Sequence, residues 1–338
     1  MQTELGRPVP LVRRLLVNRA FLFLCLVATS LAVCILAVLL IAIAFKGVPW
    51  ILDLAAFKGA FAEGGGGFST WKTWVRWDFF TEFASRKARS AGIKAPLFGS
   101  IWVCVICALV ALPVGVGTAI YLEEFAPRNR LTRFIETNIR NLAGVPSIVY
   151  GILGLTAFAR MFGVFGSDSE PISIGSPDSF FHLALPFGQS ILSGGLTLML
   201  VVLPIVIISA QEAFRSVPNS LRQASLAMGA TKWQTVWSIC LPTSLPMIMT
   251  GSILAMSRAI GEAAPLLVLG VPLFISSTPQ NLMSDFTVLP FQIYNWAGRP
   301  QEDFRGLAAA AIIVLLAVLL TFNAVAVLIR QKLHRPLT

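Results

Sequence analysis

The feature that most constrains the fold is a series of six long apolar stretches that carry almost no charge. Each has at least the roughly 20 residues that a helix needs to cross the hydrocarbon core of a bilayer. The apolar residues run continuously instead of alternating, which is typical of membrane helices and not of β-barrels. Only 12% of the 338 residues are charged, whereas a soluble domain has about 25%. The chain is therefore predicted to be an all-α polytopic membrane protein with six transmembrane helices: Phe21–Phe45, Leu97–Tyr121, Leu142–Phe165, Leu183–Ala210, Pro246–Val271 and Leu307–Ile329.

Basic residues between the spans indicate which side faces the cytoplasm. They concentrate in four segments: the N-terminal segment 1–20, the connection 122–141, a polar loop at 211–245 and the C-terminal tail 330–338. With six spans, all four segments lie on one side, and the positive-inside rule assigns that side to the cytoplasm. We therefore expect both termini to be cytoplasmic, with a first span at 21–45 and a membrane core at 97–329. The first apolar run is too long for a signal peptide, so we expect it to be retained.

The segment 46–96 lies outside in this topology, although it holds eight basic residues. The positive-inside rule is weaker for loops of this length. Trp71, Trp74 and Trp77 lie close together, and we interpret their surroundings as an amphipathic aromatic and basic segment at the membrane surface. A flexible glycine-rich stretch at 64–67 precedes it. Two functions fit its positive charge: contact with lipid headgroups, or enrichment of an anion at the external mouth.

The polar loop at 211–245 has helical periodicity on both sides of a glycine. Residues 218–228 predict one helix, and residues 232–241 predict a second helix that Pro242 and Pro246 would end. Between them, Gly229 predicts a sharp turn in which a Cβ would crowd the backbone. Such a unit can sit in a groove of a partner and pass that partner's rigid-body motion to two spans. The alternative is an ordinary intracellular loop.

The fifth apolar stretch contains two opposite charges, Arg258 and Glu262. A spacing of four places them on one helix face. Ionisable residues at membrane depth are costly and usually line a polar path. Arginine offers a permanently protonated fork that suits phosphate or sulfate oxyanions, and Glu262 would tune that charge or accept a proton. The alternative is a structural pair in which each charge neutralises the other.

The spacing within the polar loop resembles the cytoplasmic EAA loop of ABC importer permeases. The matching positions, with nine residues between the glycine and the isoleucine, are Gln223, Ala224, Gly229, Ala230, Ile239, Leu241 and Pro242. The resemblance implies that these residues couple the chain to a separate ATP-hydrolysing subunit. Gln223 departs from the pattern, which usually has Glu there, so a charge contact to the partner would be lost. The chain has no G-x-x-x-x-G-K-[ST] phosphate loop, which also predicts that another chain hydrolyses ATP.

Several longer segments resemble one group within that class, the PstA-type permeases of the phosphate-specific (Pst) ABC importer. The likeness runs from about Trp77 to the C-terminus, whereas the glycine-rich stretch at 57–70 looks like an insertion. The segments that carry it are Trp77–Thr81, Ala119–Pro127, Asn141–Gly151, Glu212–Pro218 and Ser257–Leu266. The form Ser-Arg-Ala-Ile-Gly-Glu-x-Ala-Pro in the last segment resembles the PstA subunit more than its PstC partner.

This resemblance implies the type I ABC importer permease (MetI-like) fold and a place in the cytoplasmic (inner) membrane of a bacterium or archaeon. It implies three protein partners: a second, PstC-type permease, a PstB-type ATPase dimer and an external PstS-type phosphate-binding protein. Phosphate and membrane lipid are the other expected partners. ATP with Mg²⁺ would bind the ATPase, and no cofactor is expected in this chain. Arg258 and Glu262 fall on the positions where the family has its candidate phosphate-path residues.

Other functions fit the sequence less well. A permease for a related oxyanion, such as phosphonate, sulfate or molybdate, stays open, as does a membrane scaffold or sensor that does not transport. An enzyme is not expected, because no nucleophile–base or metal-ligand pattern occurs. Cys104 and Cys107 form a C-x-x-C in the middle of an apolar stretch without a nearby His or acid, so we interpret them as packing residues. Nucleic-acid binding is not expected, since the basic residues are scattered between spans.

Overall fold

A computed structural model describes residues 11–53, 74–163, 172–175 and 182–333. The expectations for the glycine-rich stretch at 57–70 and for Trp71 lie outside the described residues, as do parts of the two terminal segments. The elements are α1 (Leu11–Ile51), α2 (Trp77–Thr81), α3 (Lys94–Phe125), α4 (Arg130–Ala143), α5 (Ser147–Ala159), β1 (Ile172–Ile174), β2 (Leu183–Leu185), α6 (Ile191–Arg215), α7 (Asn219–Ala227), α8 (Lys232–Gly261), α9 (Ala264–Leu269), α10 (Leu289–Ala297) and α11 (Glu302–Leu333).

The first helix, α1, is apolar all round and is exposed along almost its whole length. Phe23 is 69% exposed and Phe45 is 79% exposed. A soluble protein would bury such side chains, but hydrocarbon solvates them. At about 1.5 Å per residue the 41 residues of α1 exceed the thickness of the hydrocarbon core. The helix therefore extends beyond both ends of the span expected at 21–45. Its C-terminal part packs on α11, where a Cβ at Gly47 would lie 2.7 Å from the backbone of Ala309.

The helices α3 and α6 form the core of the molecule, and α8 packs against both of them. Val103 and Ile106 of α3 pack with Leu198 and Val202 of α6 in one buried cluster. A small residue brings the two backbones close together, since a Cβ at Gly115 would lie 2.6 Å from the side chain of Val206. Interfaces of this kind are typical of membrane helices, where close van der Waals packing replaces the hydrophobic effect.

The third predicted span, Leu142–Phe165, is wrong in its bounds, because the apolar helix within it, α5, covers only Ser147–Ala159. Leu142 and Ala143 end the preceding helix α4, which lies in the expected connection and meets α5 at 105°. Pro146 accounts for the break, because proline disfavours helical backbone in the residue before it. The second helix, α5, is shorter than the roughly 20 residues of a full span. Within the described residues, five helices are long and apolar enough to cross a membrane, or six if this bent pair counts as one span.

The fourth predicted span is wrong at both ends. Leu183–Leu185 forms β2, which pairs with β1 in an antiparallel ladder, and α6 begins only at Ile191. Ser190 caps α6 by accepting a hydrogen bond from the backbone N–H of Ser193. At its other end, α6 continues past Ala210 to Arg215, five residues into the segment expected to be a loop.

The prediction that Pro242 and Pro246 end a helix is also wrong, because α8 is continuous from Lys232 to Gly261. A π turn at Val236–Cys240 precedes the first proline. This wider turn lets the helix accommodate a ring that would otherwise clash with the preceding turn.

The fifth predicted span is broken near its far end. The helix α8 ends at Gly261, and Glu262 is extended, with φ −82° and ψ 113°. The short helix α9 follows, and Gly270, with φ +84°, ends it. Pro265 explains the break, since it has no N–H for the carbonyl of Gly261 and its ring would clash with that carbonyl.

A second buried cluster lies where α2 and α10 pack against the start of α11. Phe79, Ile93, Leu289 and Trp296 are all buried in it. The guanidinium of Arg76 lies 5.5 Å from the ring centre of Trp50 at the end of α1. Part of the aromatic segment after the first span therefore packs into the protein, although Trp77 remains 41% exposed.

Candidate functional site

The turn that joins α7 to α8 is built around a left-handed glycine. Gly229 has φ +85°, a conformation that side chains rarely adopt. Its N–H donates to the carbonyl of Leu226 at 3.0 Å, and the N–H of Ala230 donates to that of Ser225 at 3.2 Å. This is the Schellman arrangement that ends a helix. A Cβ at Gly229 would meet open space, so backbone conformation explains the glycine and the expected crowding does not.

The two helices of this unit are fixed to each other by hydroxyl and amide groups. Thr231 and Gln234 form a reciprocal capping box at the start of α8, which satisfies two backbone N–H groups that a helix start leaves unpaired. The hydroxyls of Ser225 in α7 and Thr235 in α8 lie 2.9 Å apart. The unit α7–turn–α8 therefore has little freedom to flex within itself.

The predicted coupling residues divide between the surface and the interior of this unit. Gln223, Ala224, Gly229 and Pro242 are exposed, whereas Ala230, Ile239 and Leu241 are half-buried. Apolar side chains that the sequence analysis did not single out surround the exposed ones: Leu226, Met228, Trp233 and Trp237. Met228 is 88% exposed. A cluster of large apolar side chains on a polar loop marks a surface that binds another molecule.

Sequence reasoning missed two ion pairs here: one attaches this unit to α3, and the other joins α6 to α3 beside it. Glu123 and Glu124 lie on the π turn that ends α3. An Nη2–Oε1 distance of 2.6 Å joins Arg215, at the end of α6, to Glu123. The corresponding distance from Arg222, in α7, to Glu124 is 2.8 Å. The signal in the sequence is a pair of adjacent acids at the end of an uncharged run, but their partners lie more than 90 residues away.

Arg222 is the most connected of these residues. Besides Glu124, it donates to the carbonyls of Phe214 and Val217, each at 2.6 Å. It thereby ties α7 to the ends of both α3 and α6. Burial alone would lower the pKa of Arg222, but the hydrogen bond and charge of Glu124 outweigh it and the pKa is raised. The guanidinium therefore remains charged, and the attachment persists at any physiological pH.

Arg258 and Glu262 lie at the opposite end of α8 and form the pair that their spacing allows. Nε of Arg258 donates to Oε1 of Glu262 at 3.1 Å. The side chain of Arg258 is 49% exposed, and that of Glu262 is 18% exposed. Among the described residues, Arg258 makes no other hydrogen bond or ion pair, so both Nη groups can donate to a further acceptor. The positive charge also complements the C-terminal dipole of α8.

The structure brings together two of the sequence segments that carry the resemblance. Gly151, in α5, packs against α9, which directly follows the break at Glu262. A Cβ on Gly151 would lie 2.6 Å from the carbonyl oxygen of Pro265. The hydroxyl of Tyr150 donates to the carbonyl of Leu142 at 2.7 Å and holds the bend between α4 and α5. The segments 141–151 and 257–266 therefore form one structural unit.

A single helix connects the polar loop with the charged pair. Between Thr231 and Arg258, α8 runs without interruption, which at 1.5 Å per residue is a distance of about 40 Å. Ser257, next to Arg258, donates to Oδ1 of Asn323 in α11 at 2.6 Å. This arrangement can transmit a displacement of the loop to the neighbourhood of the intramembrane charges.

The chain matches one protein family model and is similar to several permeases of ABC transporters. Residues 111–335 match the family model described as "Binding-protein-dependent transport system inner membrane component". The "Probable ABC transporter permease protein YqgI" of Bacillus subtilis is 32% identical over 276 residues, which cover 78% of this chain and 86% of the relative. "Phosphate transport system permease protein PstA 1" of Mycobacterium tuberculosis H37Rv is 31% identical, with 85% and 83% covered. "Phosphate transport system permease protein PstC" of Xylella fastidiosa strain 9a5c is 33% identical, with 72% and 74% covered.

Two solved structures share the fold at low sequence identity. An inward-facing MetNI methionine ABC transporter matches with a TM-score of 0.53 and 15% identity, over 71% of this chain and 95% of that chain. A bacterial alginate ABC transporter, in complex with an alginate pentasaccharide-bound periplasmic protein, matches with a TM-score of 0.54 and 15% identity. That match covers 92% of this chain and 94% of the other.

Proposed function

The chain belongs to the binding-protein-dependent transport system inner membrane component family, and from that membership we propose that it is the PstA-type subunit of an ATP-driven importer of inorganic phosphate. It is an ABC importer permease of Pst type, a multi-pass inner-membrane protein and not itself an enzyme. The all-α, MetI-like fold expected from the sequence is confirmed.

One observation carries the assignment of an oxyanion as substrate. Arg258 lies at the break in a membrane helix, is 49% exposed and keeps both Nη groups available. A guanidinium fork matches the oxygens of a phosphate group, and it is always charged. The names of the relatives from Mycobacterium and Xylella support phosphate as the particular oxyanion.

The proposed mechanism uses α8 as a lever. The ATPase dimer docks on the exposed face that includes Gln223, Gly229 and Trp233, and it closes when it binds ATP and Mg²⁺. The unit α7–turn–α8 then moves as one body. Its displacement passes along α8 and opens the neighbourhood of Arg258 alternately to the two sides of the membrane. This chain supplies no cofactor to the cycle.

The remaining partners and the orientation follow from the same proposal. A PstC-type permease would form the other half of the pathway, and an external phosphate-binding protein would deliver the ion. The alginate transporter, which was solved with its periplasmic protein, offers a parallel for such delivery. The loop that contains Gly229 faces the cytoplasm in this assembly, and both termini lie on the same side.

Arg258→Gln tests the substrate path directly. We expect it to abolish uptake of radiolabelled phosphate by proteoliposomes that contain the complete importer, because the substitution removes the fork and the charge. Co-purification of all subunits should be unchanged, since the side chain is half exposed. Arg160→Gln is the matched control, as Arg160 is exposed and lies outside α8. Normal uptake by the Arg258 variant would refute the role.

Competition experiments separate the remaining candidates. Excess unlabelled phosphate should suppress uptake, while phosphonate, sulfate and molybdate should not. Suppression by one of those anions at lower concentration than phosphate would identify a different oxyanion permease. A scaffold or sensor would show neither uptake nor stimulation of the ATPase by loaded binding protein.

A further inference from the structure

The helix α4 is a 14-residue helix of which no residue is buried. Asn129 caps its start by accepting a hydrogen bond from the N–H of Thr132 at 2.8 Å. The hydroxyl of Thr132 donates to the carbonyl of Pro127 at 2.7 Å. A short helix without buried side chains has little tertiary stabilisation of its own. Something outside the described residues must therefore cover it in the working protein.

The side chains of α4 divide into two faces. Leu131, Phe134, Ile135 and Leu142 recur at helical spacing and share one face, and their exposed fractions are 64%, 65%, 39% and 45%. Arg133 and Arg140 project from the opposite face, and Arg128 and Arg130 flank the start of the helix. Glu136 is the only acid in α4. The helix is therefore strongly amphipathic and basic.

Polar residues of α4 are turned toward the rest of the protein. Thr132, Arg133 and Glu136 line a polar cleft of about 440 Å³ together with Glu123 and Arg215. Tyr150 fixes the other end of α4 through its hydrogen bond to Leu142. The apolar face thus remains directed away from the protein.

The position of α4 in the chain places it at the membrane boundary. It starts directly after α3, which is long enough to span a bilayer, and it meets the apolar helix α5 at 105°. If α3 and α5 run roughly along the membrane normal, α4 lies close to the membrane plane. Its contact with Arg215 and Glu123 puts it on the same side as the unit α7–turn–α8.

We propose that α4 is a lipid-binding helix that lies in the headgroup layer on the side of the coupling unit. Its apolar face enters the boundary of the acyl chains, and its arginines bind the phosphate groups of anionic lipids. An amphipathic helix with a basic polar face is the usual form of such an element, and basic residues near an anionic leaflet are attracted to its surface potential. This function does not depend on the identity of the transported ion.

A protein occupant is the competing possibility, and charge argues against it. The apolar stripe is narrow and the rest of the helix carries arginines, a combination that suits a membrane surface with anionic headgroups. Both neighbours of α4 in the chain are apolar helices, so lipid is the medium nearest to the stripe. A second permease or an ATPase covering the stripe is an outcome that the experiment below can detect.

The test measures direct contact with acyl chains in the complete importer. Phe134→Cys and Arg133→Cys are labelled with a fluorophore and reconstituted in vesicles that contain phosphatidylglycerol and a lipid with a nitroxide near the top of its acyl chain. The wild-type complex is treated in the same way, and its fluorescence, which comes from labelled native cysteines, is subtracted. We expect the label at 134 to lose most of its fluorescence and the label at 133 to keep most of it. Equal quenching at both positions, or none at 134, would overturn the proposal, the latter indicating a protein or solvent cover.

A second arm tests the role of charge. Quenching at position 134 is compared in vesicles with phosphatidylglycerol and in vesicles of phosphatidylcholine alone, and again with Arg130, Arg133 and Arg140 all replaced by Gln. Loss of quenching in phosphatidylcholine, and in the triple variant with phosphatidylglycerol, supports binding of anionic headgroups. Unchanged quenching in both would contradict it. ATPase activity of the triple variant, measured in detergent, shows that the complex is intact.

Discussion

The two ends of α8 are held in different ways. At the end that begins at Lys232, a capping box, a contact between two hydroxyls and the network around Arg222 fix the helix to α7, α3 and α6. At the end near Gly261, the backbone N–H of Glu262 donates to the carbonyl of Ala259, and the ion pair of Arg258 with Glu262 lies at the break. Ser257 supplies a hydrogen bond to α11 there, through Asn323. We therefore expect a displacement applied at the first end to be transmitted as a rigid-body motion. We expect it to be absorbed at the second end, because backbone angles change most easily at the terminus of an element.

The largest effect on stability is expected from Arg222→Gln, which weakens the attachment of α7 and of the end of α8 that begins at Lys232. The substitution leaves Glu124, only 14% exposed, without its cationic partner and removes the guanidinium donor from the carbonyls of Phe214 and Val217. Breaking a buried pair costs about 3–5 kcal/mol, and we expect about 2 kcal/mol here because water reaches both side chains. The thermal unfolding midpoint of the purified complex should fall, and less ATPase should co-purify.

Arg215→Gln is the matched control for this prediction. It breaks the neighbouring pair with Glu123, but its side chain is 46% exposed, so a smaller loss is expected. If the two variants lose equal stability, or if Arg215→Gln loses more, the network around Arg222 is not what makes this end rigid.

A smaller effect on stability, with a specific effect on coupling, is expected from Gly229→Val. A branched residue at φ +85° costs about 1–2 kcal/mol, and it forces the turn to change although its side chain would meet open space. We expect ATP hydrolysis to continue while phosphate uptake per ATP falls. The measurement is the ratio of the two rates in proteoliposomes.

Two variants make this prediction sharp. The ratio of phosphate uptake to ATP hydrolysis in Gly229→Asn should lie between the ratios of the wild type and Gly229→Val, because asparagine tolerates the left-handed region. Gly117→Ala, also at a glycine with open space but inside a helix, should leave the ratio unchanged. A wild-type ratio in the valine variant would mean that the turn does not transmit motion.

The sequence predicted much of this arrangement where the signal is local. The turn at Gly229, the helix before it and the contact between Arg258 and Glu262 all follow from spacing within a few residues. The pairs of Glu123 and Glu124 with their arginines do not, because nothing in a single sequence relates residues more than 90 positions apart. The functional roles of the predicted residues remain proposals.

The breaks within apolar stretches also escaped prediction. Hydropathy treats a run that contains Pro146 or Pro265 as one span, since prolines are tolerated in membrane helices where neighbours satisfy the backbone. One proline gave a bend of 105° and another ended α8, whereas Pro242 and Pro246 left that helix continuous. The outcome depends on packing around each proline, such as that of Gly151 on Pro265, and composition does not contain that information.

The smallest effect on stability is expected from Glu262→Gln, which changes the end of α8 near Gly261. Arg258 is half exposed, so loss of the pair should cost well under about 1 kcal/mol. Transport should change more than stability does, because removal of the carboxylate leaves the charge of Arg258 uncompensated and strengthens its attraction for an anion. We expect KM for phosphate to fall and kcat to fall with it, as release becomes slower. Arg258→Lys keeps the charge but lacks the fork, and it should raise KM. If Glu262→Gln instead lowers the unfolding midpoint as much as Arg222→Gln does, the pair is structural, and the two ends of α8 do not differ in the way proposed.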